Sequence, residues 1–175
     1  MVRGADLSLD DPTRLALRRL FRTYGPMVHR RALAILRDPS AAEDATQEVF
    51  IRALKGLEGF AHRSEPSTWL YQITTNHCLN RLRDARRRRE LRSERVDPAL
   101  PTASGPSTSP EAIALRRVLA EAPPDQAAAA VYVHLDGMSH AEAAKLLGVS
   151  RRTVGNLLER FATLARATLA DGEGS

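Results

Sequence analysis

The sequence predicts an all-α protein made of two small helical domains joined by a flexible linker. Three observations carry that expectation. Apolar residues recur at helical spacing through most of the 175 residues. Pro98, Pro101, Pro106 and Pro110 punctuate a stretch of small polar residues that begins at Val96. The basic excess also lies wholly before that stretch. Residues 1–96 carry 19 Lys/Arg against 12 Asp/Glu, whereas residues 97–175 carry 7 against 9. The expected boundaries are therefore a first domain over 10–95, a linker over 96–109 and a second domain over 110–170.

The first helix is expected from Pro12 to Tyr24, with Leu15, Leu17, Leu20 and Phe21 as its apolar positions, and a break at Gly25-Pro26. A second piece from Met27 to Leu36 stops at Asp38-Pro39. Ser40 with Glu43 reads as a capping box, in which each partner satisfies an orphan backbone donor. The helix it opens sets Ala45, Val49, Ala53, Leu54 and Leu57 on one face. After Gly59, Phe60 to Pro66 reads as a loop. A long helix then starts near Ser67, runs through Trp69, Leu70, Ile73 and Leu82, and ends in eight arginines between residues 81 and 95. Trp69 is expected in the core beside Leu70 and Ile73. The arginine cluster exceeds what a helix C-terminus needs to offset its dipole, and is the footprint of a polyanion-binding surface.

Beyond the linker, Ser109 caps a helix with Pro110 at its first position, and a further helix covers Asp125 to Leu135 until Gly137. The segment GMSHAEAAKLLGVSRRTVGNLLERF, residues 137–161, carries the strongest local signal. Ser139 with Glu142 forms a capping box, Ala144 is small enough for close helix approach, Gly148 supplies a turn and Ser150 caps the next helix. Val149, Val154, Leu157 and Leu158 are expected to pack the two helices together. This is helix-turn-helix spacing, in which the N-terminal residues of the second helix face base edges in the major groove. Arg151, Arg152, Thr153 and Asn156 are thus candidates for groove contact, with Arg160 nearer the backbone.

The run SAAEDATQEVFIRALKGLEGF, then WLYQITTNHCLNRLRDARRRR, then the helix-turn-helix, resembles the extracytoplasmic-function sigma factors of the sigma-70 family. The resemblance covers roughly residues 14–90 and 112–168. It implies a chain that retains the second and fourth sigma regions and directs core RNA polymerase to promoters without catalysing a reaction itself. It implies that Asp44, Gln47 and Glu48 dock on the β′ coiled coil, that the second half meets the β flap, and that an anti-sigma factor is the controlling partner. It further implies that the long helix reads the −10 element through Asn76, Asn80, Arg83 and Arg87, a polar stripe at spacings of three and four. The loop Phe60–Pro66 would capture a flipped base, with Phe60 as stacking surface. Arg151, Arg152, Thr153, Asn156 and Arg160 would meet the −35 element. Gly155, Asn156 and Leu157 depart from the family pattern of Lys, Ser and Arg after Thr-Val.

Other function classes fare worse. The histidines at 29, 62, 77, 134 and 140 lack metal-ligand spacing, and no glycine-rich phosphate loop is present, so no catalytic residue, metal or cofactor is expected. His77-Cys78 are adjacent on a helix, point in different directions and chelate poorly. The single cysteine suits a reducing compartment, no run of about 18 apolar residues exists, and the N-terminus lacks a secretory signal, so a cytoplasmic protein without membrane insertion is expected. The alternatives are a sigma-like helix-turn-helix regulator that does not initiate transcription and a protein that sequesters polymerase.

Overall fold

The computed structural model describes residues 12–56, 65–93 and 109–173, and the regular elements among them are all helical. The helices are α1 (Pro12–Leu36), α2 (Pro39–Gly56), α3 (Pro66–Ser93), α4 (Pro110–Glu121), α5 (Pro124–Ala130), α6 (His140–Leu147) and α7 (Arg151–Glu173).

The expected break at Gly25-Pro26 does not occur. α1 runs unbroken through both residues. Proline lacks the N–H that would bond the Arg22 carbonyl, a local penalty of about 3 kcal/mol. Burial outweighs it. Val28, Ile35 and Leu36 beyond the proline are buried against the neighbouring helices, and each such side chain contributes about 1.5–3 kcal/mol. Before the proline, the Phe21 ring lies 4.9 Å from that of Phe50 on α2.

The expected Ser40–Glu43 capping box is also corrected. Arg37 takes a left-handed conformation (φ 53°) and ends α1. Asp38 then caps α2, its Oδ1 accepting from the Ala41 N–H at 2.9 Å, with Pro39 at the first helical position, where its missing N–H is harmless. The Asp38 carboxylate, two residues earlier, fulfils the role that spacing assigned to Ser40.

α1, α2 and α3 bury Val28, Val49, Phe50, Ala53 and Leu70 in one cluster, with Trp69 half-buried against it. Trp69 lies over Gly56, where a Cβ would sit 3.0 Å from Trp69 Cζ2. In the second half, the cap at Ser109 and the capping box of Ser139 and Glu142 form as expected. Gly148 adopts a left-handed φ of 68°, closing α6. α5 widens over Val131–Leu135 into a π-helical turn, with the Asp136 N–H bonding back to Val131 O at 3.1 Å.

The two halves do not keep separate cores. One buried cluster joins Ala32, Ile35, Leu36, Ala45 and Leu79 to Leu119, Ala127, Val131, Tyr132, Ala144 and Val154. α3 packs on α4 and α5, which pack in turn on α7. Small helical units bury a low fraction of their surface alone, so sharing a core stabilises both.

Candidate nucleic-acid interface

α2 is amphipathic in the way its surface role requires. Ala45 and Val49 are fully buried, and Asp44, Gln47 and Glu48 emerge on the other side, Glu48 half-buried. Neither acid stands alone. Asp44 Oδ2 lies 3.6 Å from Arg81 Nη2 on α3, and Glu48 Oε1 accepts from Arg52 Nε at 3.1 Å. The two helices border a polar cleft of about 540 Å³ that these residues share with His77 and Arg88. Burial pushes His77 below its usual pKa of 6.5, reinforced by the Arg52 and Arg81 charges and opposed by Glu48. Its Nε2 is buried without a partner among the described residues.

Next to His77, the Cys78 thiol is buried, and burial pushes its pKa up to about 12 despite the cations Arg31 and Arg81. A thiol so far from ionisation is a packing group and a poor nucleophile.

Along α3, Asn76, Asn80 and Arg87 are exposed and Arg83 is half-buried. Arg83 Nη1 donates to Asn80 Oδ1 at 2.7 Å, which orients the amide along the stripe. Burial lowers the Arg83 pKa, opposed by Asp84 and by Asp125 of α5. Arg86 bonds Glu90 at 2.6 Å and lies 4.0 Å from Glu121 of α4. The stripe is thus real, but its middle is turned toward the second half of the chain. Phe60 falls outside the described residues.

In the helix-turn-helix, Arg151, Arg152, Asn156 and Arg160 are exposed on α7. Thr153 is half-buried and engaged in the cap. Its N–H donates to Ser150 Oγ at 3.1 Å, and the two hydroxyls lie 2.9 Å apart. Val154 is fully buried between the helices, whereas Val149, expected to pack there, is exposed because the left-handed Gly148 turns the chain outward. Nothing lies within 4 Å of a Cβ placed on Gly155.

Among the described residues, no cluster of three or more His, Cys, Asp or Glu is placed to hold a metal ion, and no helix is long and apolar enough to cross a membrane. Arg31 carries no signal in the sequence, and Arg81 stands out there only as one of the eight arginines of the basic cluster. Their partners, Asp44 and Asp136, lie 37 and 105 positions away in the chain, beyond any local pattern. The Glu48–Arg52 pair, by contrast, is legible as an i,i+4 spacing.

An all-helical chain with a basic helix in one half and a helix-turn-helix in the other defines a DNA-handling protein of two parts. Comparison with known proteins makes the class specific. Residues 20–88 match sigma-70 region 2 and residues 112–160 match sigma-70 region 4. The ECF RNA polymerase sigma factor SigM of Mycobacterium tuberculosis is 36% identical over 157 residues, which cover 90% of this chain and 76% of that protein. SigC of the same species is 31% identical over 144 residues, covering 82% and 76%. The chain belongs to the extracytoplasmic-function (ECF) sigma factors of the sigma-70 family. Its fold is similar to that of CnrH in complex with the cytosolic domain of CnrY (TM-score 0.54, 23% identity, 90% of each chain). It is likewise similar to RpoE in complex with the anti-sigma factor NepR from Bartonella quintana (TM-score 0.53, 20% identity, 89% and 97%).

Proposed function

We propose that this sigma factor works by binding alone, in the cytoplasm, with three surfaces divided between its two halves. Asp44, Gln47 and Glu48 on α2 dock the β′ coiled coil of core RNA polymerase. Asn76, Asn80, Arg83 and Arg87 on α3 read the −10 element, with Phe60 as the stacking surface for a flipped base. Arg151, Arg152, Asn156 and Arg160 on α7 meet the −35 element, and Thr153 holds the start of that helix. The second half also meets the β flap, and a separate anti-sigma factor covers these surfaces when the protein is silent.

The observation that supports this reading best is the placement of opposite charges on two adjacent exposed faces. An acidic and amide-bearing strip on α2 suits a protein partner, whereas an Asn/Arg stripe on α3 suits single-stranded bases and phosphates. The test is run-off transcription with purified core polymerase, paired with a pull-down. Wild type initiates, and Glu48→Arg loses core binding by more than tenfold with helical content unchanged, since the residue lies on the outer face of a helix whose core side is untouched. Undiminished pull-down by Glu48→Arg removes α2 from the docking surface. DNA binding without initiation favours a regulator over a sigma factor.

A further inference from the structure

α1 carries charge that none of the surfaces assigned above uses. Its 25 residues hold six arginines and no Asp or Glu, where an average stretch of that length has about three acids. Arg31 turns inward, is only 5% exposed, and donates through Nη1 to Asp136 Oδ1 at 2.6 Å. Arg18, Arg19, Arg22 and Arg30 are exposed. None of these four has a carboxylate partner among the described residues. α3 differs, because Arg81 lies by Asp44, Arg83 bonds Asn80 and Arg86 bonds Glu90.

An acid-free basic helix carries a cost. Arg18 and Arg22 are four positions apart, and Arg19 and Arg22 three, spacings at which like charges repel across one turn. Outward charge that the chain leaves unbalanced attracts an outside polyanion. Phosphate suits it, since a guanidinium pairs with its oxygens through two parallel bonds and stays charged at any working pH. Arg19 and Arg30 lie on the outermost side of α1. They are eleven positions apart, close to three whole turns, which sets them about 16 Å apart along the axis. That spans about five base pairs of duplex at 3.4 Å per pair. Thr23 and Pro26, between them on the same side, are exposed and uncharged.

Position decides which polyanion. α1 packs directly on α3, and packed helices have axes about 8–10 Å apart. The outer side of α1 therefore flanks the Asn/Arg stripe. DNA held by α3 presents its neighbouring phosphates to α1 at high effective concentration, which turns a second contact into an intramolecular step. A lipid surface fits less well, because Val28, Ile35 and Leu36 of α1 are already buried against other helices. Arg22 stands apart from this pair. It lines a groove of about 600 Å³ whose far wall includes Gln47 of α2, so it borders the docking strip.

We propose that Arg19 and Arg30 form a second phosphate-binding surface, which grips promoter duplex flanking the −10 element while α3 reads the bases. The proposal rests on the reading of α3 as the −10 helix. The test uses holoenzyme and a promoter fragment across a salt series. Arg19→Gln with Arg30→Gln reduces the log–log salt slope by about 2, so between 50 and 200 mM salt wild type loses about tenfold more affinity than the variant. Arg117→Gln with Arg166→Gln removes two exposed arginines from the second half and leaves the slope unchanged. Glutamine keeps helix propensity close to that of arginine, so circular dichroism shows equal helical content. A second measurement locates the contact. Arg30→Cys carries a photoactivatable maleimide, and the label goes to that position alone because the Cys78 thiol is buried. Irradiated holoenzyme crosslinks to promoter DNA. Crosslinking to a polymerase subunit instead, or a slope no lower than that of the Arg117 and Arg166 control, overturns the α1 site. Asn80→Ala tests the underlying reading separately. If it weakens strand opening while the α1 pair leaves the slope unchanged, the α1 site alone fails; if it leaves strand opening undiminished, the reading of α3 fails.

Discussion

Single residues in this chain divide into those whose role is set by neighbours in sequence and those set by neighbours in space. Gly155 belongs to neither group. It sits inside α7 with a helical backbone and open space where a side chain would be. Gly155→Ala is expected to stabilise the protein by about 0.5–1 kcal/mol, read as a rise in Tm of about 2–3 °C by calorimetry. An unchanged or lower Tm would mean that the glycine is tied to a contact this packing does not contain. His77 is the opposite case, buried beside two arginines. Its pKa is lowered from 6.5 in the folded state, so above that value neither state is protonated and its burial costs nothing in charge. Below it, the unfolded chain takes a proton that the folded chain resists, and stability falls with pH until the folded pKa is reached. Between about pH 7.5 and 5.5 wild type therefore loses more Tm than His77→Gln. Parallel curves for the two proteins would remove His77 as the source of any acid sensitivity.

At the scale of an element, α3 carries two tasks on opposite sides. One side buries Leu70, Thr74, Thr75, Cys78 and Leu79. The other presents Asn76, Asn80 and Arg87 to solvent, with Arg83 bonded to Asn80. Because Asn80 is exposed and packs against nothing in the core, Asn80→Ala is expected to leave the fold and core binding intact. Open-complex formation at a cognate promoter falls several-fold, within the 1–3 kcal/mol that base contacts typically carry. Permanganate footprinting reads this as weaker reactivity of unpaired thymines, and undiminished strand opening takes Asn80 off the reading face. α7 is simpler. Its N-terminal turn is held by Ser150 and Thr153, which leaves Arg151, Arg152 and Asn156 free to point outward.

For the whole molecule, charge is unequal between the halves, +7 over residues 1–96 and −2 over 97–175. Each phosphate contact on duplex DNA contributes about −0.9 to the log–log salt slope of affinity. Neutralising Arg86, Arg87, Arg88 and Arg89 is expected to reduce the slope for holoenzyme on a promoter fragment by about 3–4. Arg151→Ala changes it by about 1, while relaxing sequence preference upstream if that side chain reaches a base. The holoenzyme is the right form to titrate, because in the free chain Arg86 already faces Glu121. Equal slope changes for the two variants would show that local geometry, not net charge, sets the grip of α7 on DNA.

Much of this architecture was legible from residues alone because it depends on short-range rules. The caps at Ser109, Ser139 and Ser150, the left-handed Gly148 and the polar faces of α2 and α3 all follow from groups within about four positions of one another. What local rules misjudged, packing overrode. Pro26 stays inside α1 because burial along the helix exceeds one lost hydrogen bond, and Asp38 rather than Ser40 caps α2 because Arg37 turns the chain two residues early. What local rules could not see at all are pairings across the chain, namely Asp44 with Arg81, Gln72 with the Leu146 carbonyl, and Arg31 with Asp136 beside two stacked tyrosines. Sequence thus determined the helices and the chemistry of their faces. Only the tertiary structure decided that the two halves share one core, because that depends on which faces meet, and a buried charge pair has no local signature.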